Sequence, residues 1–339
     1  MWCMRKRGGS DQLTLFPGMA PESPPRSGVE PAEVSAEVHR LGADLPGDIR
    51  LGGSTWSFPG WAGLVYAGRP TEARLAKEGL AAYARHPLLR GAGLDRTWYQ
   101  PLTAADFADY AAVVPEGFRF LVKALEALTV ARWPDHPRYG AERGQPNPRF
   151  FDPVFAADQV VAPYVEGLGA KRGALLFQLS PQDLGPPQRF AARLHAFLAA
   201  LPRGPVYAVE LRNREVLTRD YAEALAGAGA VHCLNVHPRM PEVRAQARLA
   251  GIDRPGAPAT VVRWLLGPGM TYEEAGRRYA PFDRLQREDP DARQALAELA
   301  REALAAGRPF LCTVNNNAEG CAPLSILGLA REIVRTGGG

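Results

Sequence analysis

The sequence predicts an α/β fold: a single TIM-type (β/α)8 barrel over residues 47–335, preceded by a flexible tail over residues 1–46. Three observations predict it. Eight apolar runs of strand length can be placed along the chain. Longer amphipathic or alanine-rich stretches separate them, and that alternation is the signature of repeated βα units around a parallel sheet. Barrels of roughly 250 residues commonly form one domain, so a length of 339 residues does not require a second.

The tail runs through PGMAPESPPRSGVEPAEVSAE, too poor in bulky apolar groups to offset the entropy of ordering. A short helix around residues 30–41 is the one element it could support. The strands then follow as IRLGGST (49–55), AGLDRTW (92–98), FRFLVKA (118–124), GALLFQL (173–179), VYAVEL (206–211), AVHCLNV (230–236), TVVRWLL (260–266) and PFLCTVN (309–315). Apolar residues at helical spacing mark 71–86, 155–168, 187–201 and 291–307 as helices between them. Three connections, 125–153, 237–258 and 267–290, are long enough to carry lids and ligand contacts on the C-terminal face. Each holds four arginines, which points to an anionic ligand or, equally, to a solvated rim.

Composition excludes several classes. Cys3, Cys233, Cys312 and Cys321 lie far apart with no CxxC pair, which suits reduced thiols in a cytoplasm and argues against structural zinc. No apolar stretch reaches the eighteen or so residues that span a bilayer, and no apolar region follows the basic start, so neither export nor a membrane span is expected. A net charge of +4 is too mild to announce a nucleic-acid binder. Only four lysines occur against abundant arginine, alanine, glycine and proline, the usage of a GC-rich bacterial genome. Ser-His-Asp, Walker, GxGxxG and HExxH patterns are missing.

Polar residues that end apolar barrel strands face a common cavity, and this sequence supplies many. They are Ser54, Thr55 and Trp56, Asp95 and Tyr99, Lys123, Gln178, Glu210 with Arg212 and Asn213, Asn235 with His237, Arg263, and the run Asn315, Asn316, Asn317. Lys123 stands where an arginine-rich chain has kept an ammonium; it can bind phosphate or, desolvated, act as acid, base or imine former. Glu210 and Arg212 lie two apart on one strand face, as a cavity-shaping ion pair or an acid/base pair. Lys123 and Glu210 are the catalytic candidates, and the others are ligand-binding candidates. Asp95, Glu210, His232 and His237 include the residue types of a divalent metal site, but no HxH or HxxE spacing joins them and His232 reads equally as core, so no metal ligands are assigned. The cofactor stays unknown. The glycines of GGSTWS could let backbone amides approach an anion.

Together GGSTWSFPGW, FRFLVKA, LLFQLSP, YAVELRN, VVRWLL and VNNNAEGCAP resemble the YecE-like family, a domain of unknown function, over about residues 50–333. The resemblance implies a TIM-type barrel and no settled activity. Gly93 and Asp95 stand where the family pattern has glutamate and asparagine, and Trp264 and Leu265 replace its Leu-His pair, so the chain is similar to a divergent member.

In the tail, Gln12-Leu13-Thr14-Leu15-Phe16 resembles the bacterial sliding-clamp-binding pentapeptide. Leu15 and Phe16 would fill a pocket while the Gln12 amide bonds at its rim. A hydrophobic staple that folds back on the barrel, or a tail segment with no role, are the other readings. The sequence therefore supports an enzyme acting on a phosphate-bearing ligand, nucleic acid or nucleotide, recruited to the clamp. A non-catalytic binding protein, or a small-metabolite enzyme unrelated to DNA, are the alternatives.

Overall fold

The computed structural model describes residues 28–335. Their order is α1 (Ala36–Asp44), β1 (Ile49–Gly53), α2 (Glu72–Tyr83), β2 (Gly91–Leu94), α3 (Ala104–Ala112), β3 (Arg119–Lys123), α4 (Pro153–Ala156), a π turn (Ala157–Val161) running into α5 (Ala162–Leu168), β4 (Arg172–Gln178), α6 (Pro187–Ala199), β5 (Tyr207–Glu210), α7 (Arg219–Ala228), β6 (Val231–Val236), α8 (Val243–Ala250), β7 (Thr260–Trp264), α9 (Tyr272–Tyr279), α10 (Pro290–Ala305), β8 (Phe310–Val314) and α11 (Ala322–Arg335). All eight strands pair in parallel with their sequence neighbours, and β8 closes on β1, so the sheet has no edge. This is the TIM-type barrel that the alternation of elements predicts. Among the described residues, no helix is long and apolar enough to cross a membrane.

Local chemistry sets the helix starts. Thr71, Thr103, Thr218 and Thr271 accept from the amide three residues on, and Asp106 and Glu274 reciprocate to complete two capping boxes. Alternation along the strands then separates two cores. Residues such as Ile49, Phe120, Phe177, Val209 and Val262 pack outward under the helices, while Leu121, Leu176, Ala208, Cys233, Val261 and Leu311 fill the barrel's interior. Small residues let β1 and β2 approach: a Cβ on Gly52 would sit 1.8 Å from the Gly91 carbonyl oxygen. The glycines of GGSTWS thus serve strand packing rather than the anion approach that their sequence position allows.

Two boundaries differ from expectation. Residues 28–46 belong to the packed body rather than to a tail: Ser35 caps α1, and Val38, Leu41 and Leu45 are buried beneath it. Backbone hydrogen bonds of 2.9 Å from Ala32 to Val65 and from Ala67 to Glu30 also tie the segment down, and the exposed Arg331–Glu37 pair (two contacts of 2.8 Å) adds little to this. The second strand ends at Leu94, because Arg96–Trp98 turns into a 3-10 helix. Two of the long connections contain α8 and α9. The pentapeptide at 12–16 lies outside the described residues.

Candidate functional site

One alternation beyond the apolar interior layer, the strands change character. Lys123, Gln178, Glu210, Asn235, Arg263 and Thr313 follow Leu121, Leu176, Ala208, Cys233, Val261 and Leu311 by two residues each, so they form a polar layer at the C-terminal mouth. Glu210 is its centre. Fully buried, it is paired through Oε1 with Arg212 and through Oε2 with Arg263 Nη1 at 3.0 Å. The same Arg263 nitrogen donates to Gln178 Oε1 at 2.9 Å, and Nη2 reaches Asp95 Oδ2 at 3.5 Å. Arg212 and Arg263 are themselves only 7% and 5% exposed, so the Arg212–Glu210–Arg263 core of this chain is essentially dry, while Asp95 at its end meets solvent. Burial alone would raise the Glu210 pKa, but the two guanidiniums and Lys123 outweigh it and hold the carboxyl below its ordinary value.

Lys123 is placed differently. Its ammonium makes no ion pair among the described residues; Nζ lies 4.0 Å from the centre of the Trp98 ring, on the indole face. Trp98 is held there by the turn after β2. Thr97, next to it, donates its hydroxyl to the Leu94 carbonyl at 2.9 Å and to the Lys123 carbonyl at 2.5 Å, tying the turn to the end of β3. Burial lowers the Lys123 pKa, Arg263 and Arg212 add to that, and Asp95 and Glu210 oppose it, leaving the group at about 8. Among the described residues, the charges that act on one another at the mouth are Lys123, Arg212 and Arg263 against Asp95 and Glu210, three cations to two carboxylates.

The other sequence candidates divide. Ser54 is buried at the mouth end of β1 with its Oγ unpartnered. Gln178 lies inside the charge network, as described. The His237 ring lies tilted at 42° to that of Tyr272, 5.9 Å between centres, and burial followed by Arg212 depresses its pKa to about 4. Tyr99 is 71% exposed at the rim, 5.9 Å from the Arg138 guanidinium. Trp56 is turned away, packed edge-on against Tyr110 and under Gly79 of α2. Asn213 braces loops, accepting from the Gln182 amide at 3.2 Å. Asn315 accepts from the Asn317 amide at 2.9 Å, shaping the turn after β8, and the Asn317 carbonyl oxygen of the side chain is buried without a partner. Asn316 joins Trp61 Nε1 (3.1 Å) to the first amide of α11 (2.8 Å) and is structural.

His232 faces outward from β6 between Tyr221 Oη at 2.8 Å and Gln246 Oε1 at 3.2 Å, away from Asp95 and Glu210. Among the described residues, no three His, Cys, Asp or Glu side chains are grouped to hold a metal ion. All four arginines of the first long connection serve their own loop. Arg138 pairs with Glu126, Arg143 with Asp135 and Arg149 with Asp152, while Arg132 donates to the Gly144 carbonyl. The loop nevertheless borders an open cleft of about 430 Å³ together with Ser180–Gln182, lined by Arg132, His136, Arg138 and Tyr139. Sequence reading missed Trp98 and Tyr272. Trp98 lay in a run read as strand, and Tyr272 opens a helix within a stretch read as loop.

A family model described as a protein of unknown function, DUF72, matches residues 50–337. The chain belongs to the DUF72 family. Two solved members share its fold. A DUF72 family protein from Enterococcus faecalis V583 aligns with a TM-score of 0.55 at 18% identity, covering 84% of this chain and 95% of that one. One from Thermotoga maritima MSB8 aligns with a TM-score of 0.55 at 18% identity, covering 85% and 99%. No curated protein matches the chain. At that identity the DUF72 neighbours speak for the barrel alone, and they agree with a divergent membership.

Proposed function

We propose that the mouth of this DUF72 barrel binds the phosphate of a nucleotide or nucleic acid and that Lys123 carries proton transfer there. The observation behind it is the unpaired ammonium of Lys123 over Trp98, in a layer where cations exceed carboxylates by one. A dry, preorganised cluster with one surplus cation is complementary to an anion, and a lysine near pKa 8 can exchange a proton close to neutral pH. Glu210, ionised and bound by two guanidiniums, then acts by holding Arg212 and Arg263 rather than as the acid or base. Tyr99 at the rim offers an exposed ring on which a base can stack. Recruitment to a sliding clamp through Gln12, Leu15 and Phe16 is part of the same reading and rests on the pentapeptide alone.

The test is turnover of single-stranded DNA, duplex DNA and nucleotides by wild type and Lys123→Met, with binding measured beside it. Turnover with a pH limb near 8 that is lost at saturating ligand in the variant, beyond what its weaker binding accounts for, supports the enzyme. Binding that weakens without any turnover supports a non-catalytic binding protein. Absence of both from wild type removes phosphate from the reading and favours small metabolites. For recruitment, calorimetry against the host clamp is expected to show binding that Leu15→Ala/Phe16→Ala abolishes.

A further inference from the structure

The opposite, N-terminal end of the barrel carries a groove of about 570 Å³ between the α1–β1 connection, the turn after α2 and the start of β3. Its lining includes Arg50, Arg85, Arg90 and His86, and no Asp or Glu. Arg119 adjoins it, its amide bonded to the Arg90 carbonyl at 3.1 Å. Arg90 is accounted for: it donates to the carbonyls of Leu45 (2.9 Å), Pro46 (3.0 Å) and Gly42, and so clamps the end of α1. Arg119 likewise donates to the Glu116 and Phe118 carbonyls at 2.8 and 2.9 Å.

Arg50 is not accounted for. Its Nε is sealed from solvent without a partner, and Nη1 reaches only the Ile49 carbonyl at 3.5 Å, the limit of a hydrogen bond. Among the described residues Arg50, Arg85, Arg90 and Arg119 form no ion pair; Asp48 acts on Arg50 only at longer range. Burial, then Arg119 and Arg90, press the Arg50 pKa down against Asp48. Like charges without a counterion are unfavourable, and an oxoanion in the groove would supply one, accepting from the groove-facing edge of the Arg50 guanidinium. His86, kept neutral by burial, accepts from the Leu88 amide through Nδ1 at 3.3 Å, which leaves its proton on Nε2.

We propose that this groove is a second ligand site, distinct from the mouth, that takes a phosphate or pyrophosphate group on Arg50 and Arg85, with Arg119 adding charge. The test is calorimetric titration of the full chain with inorganic pyrophosphate. Because the mouth is itself proposed to take phosphate through Lys123, the groove is read in a Lys123→Met background: saturable binding should persist there, and adding Arg50→Met should weaken it at least about tenfold, or 1.4 kcal/mol. Arg85 is exposed, so Arg85→Met keeps the fold and should weaken binding in the same direction. Binding unchanged in both arginine variants, binding lost in Lys123→Met, or no saturable binding in wild type would each overturn the proposal. A mixed-sequence oligonucleotide that competes at lower concentration than pyrophosphate would assign the phosphate to a strand backbone; failure to compete would assign it to a small molecule.

Discussion

At the mouth, Arg212 and Arg263 are nearly sealed from solvent and both hold Glu210, whereas at the N-terminal end Arg50, Arg90 and Arg119 are half-buried and meet main-chain carbonyls or no acceptor. The barrel's own geometry explains the contrast. Strand ends at the mouth point polar side chains into a shared lumen, where a charge out of water must find a countercharge. At the other end helices terminate, their last carbonyls lack partners, and a guanidinium with water on one side can serve them singly. Arginine at the mouth therefore reads as site architecture. At the base it reads as capping, except where a cation is left over.

The largest effect expected from breaking this contrast comes from Glu210→Gln. The substitution keeps the shape and removes the charge, stranding two buried guanidiniums, and breaking such a pair costs roughly 3–5 kcal/mol. Urea unfolding of wild type and variant measures it. A loss under about 1 kcal/mol, the typical size for any substitution, would mean that water reaches Arg212 and Arg263 and that the mouth is no drier than the base.

Arg90→Met tests the base side and should do less. Three carbonyl contacts from one charged donor are lost, each hydrogen bond to a charged group contributing about 1.5–3 kcal/mol at most, and water can replace part of that at a half-buried site. An expected loss of about 2 kcal/mol should come with faster amide exchange confined to α1 and its link to β1. Exchange that rises throughout the barrel would show that Arg90 supports the strands themselves and is no local clamp.

Much of this contrast was legible in the sequence, and the limits are instructive. Lys123, Gln178, Glu210 and Arg263 could be placed at the mouth because strand alternation fixes which face a residue takes, and the structure brings these four together. Trp56 and Asn316 end strands or follow them just as plainly, yet one packs under α2 and the other ties β1's loop to α11. Beyond a strand's last pleat the period of two no longer applies, and turn geometry decides. His232 was legible in principle: it is three residues before Asn235, hence on the opposite face from the lumen. The cation cluster at the base was not, because Arg50, Arg85, Arg90 and Arg119 come from three separate segments that only closure of β1, β2 and β3 brings side by side.

The smallest effect concerns the surplus charge at the mouth, and its sign is set by pH. Folding moves Lys123 from its ordinary 10.5 to about 8, so the folded state holds its proton less tightly than the unfolded chain. A lowered lysine pKa opposes folding wherever the group is protonated in both states: the penalty is complete below pH 8 and fades as pH rises from 8 toward 10.5. Lys123→Met removes that penalty along with the contact to Trp98, so the variant should be more stable than wild type by about 1 kcal/mol at pH 7, after allowance for the lost cation–π contact. The margin should shrink toward zero or reverse by pH 10, read as the difference between paired urea midpoints so that titrations common to both chains cancel. A margin that stays flat across this range would mean that Lys123 keeps its ordinary proton affinity, in which case it binds as a plain cation and proton transfer must be sought in another group.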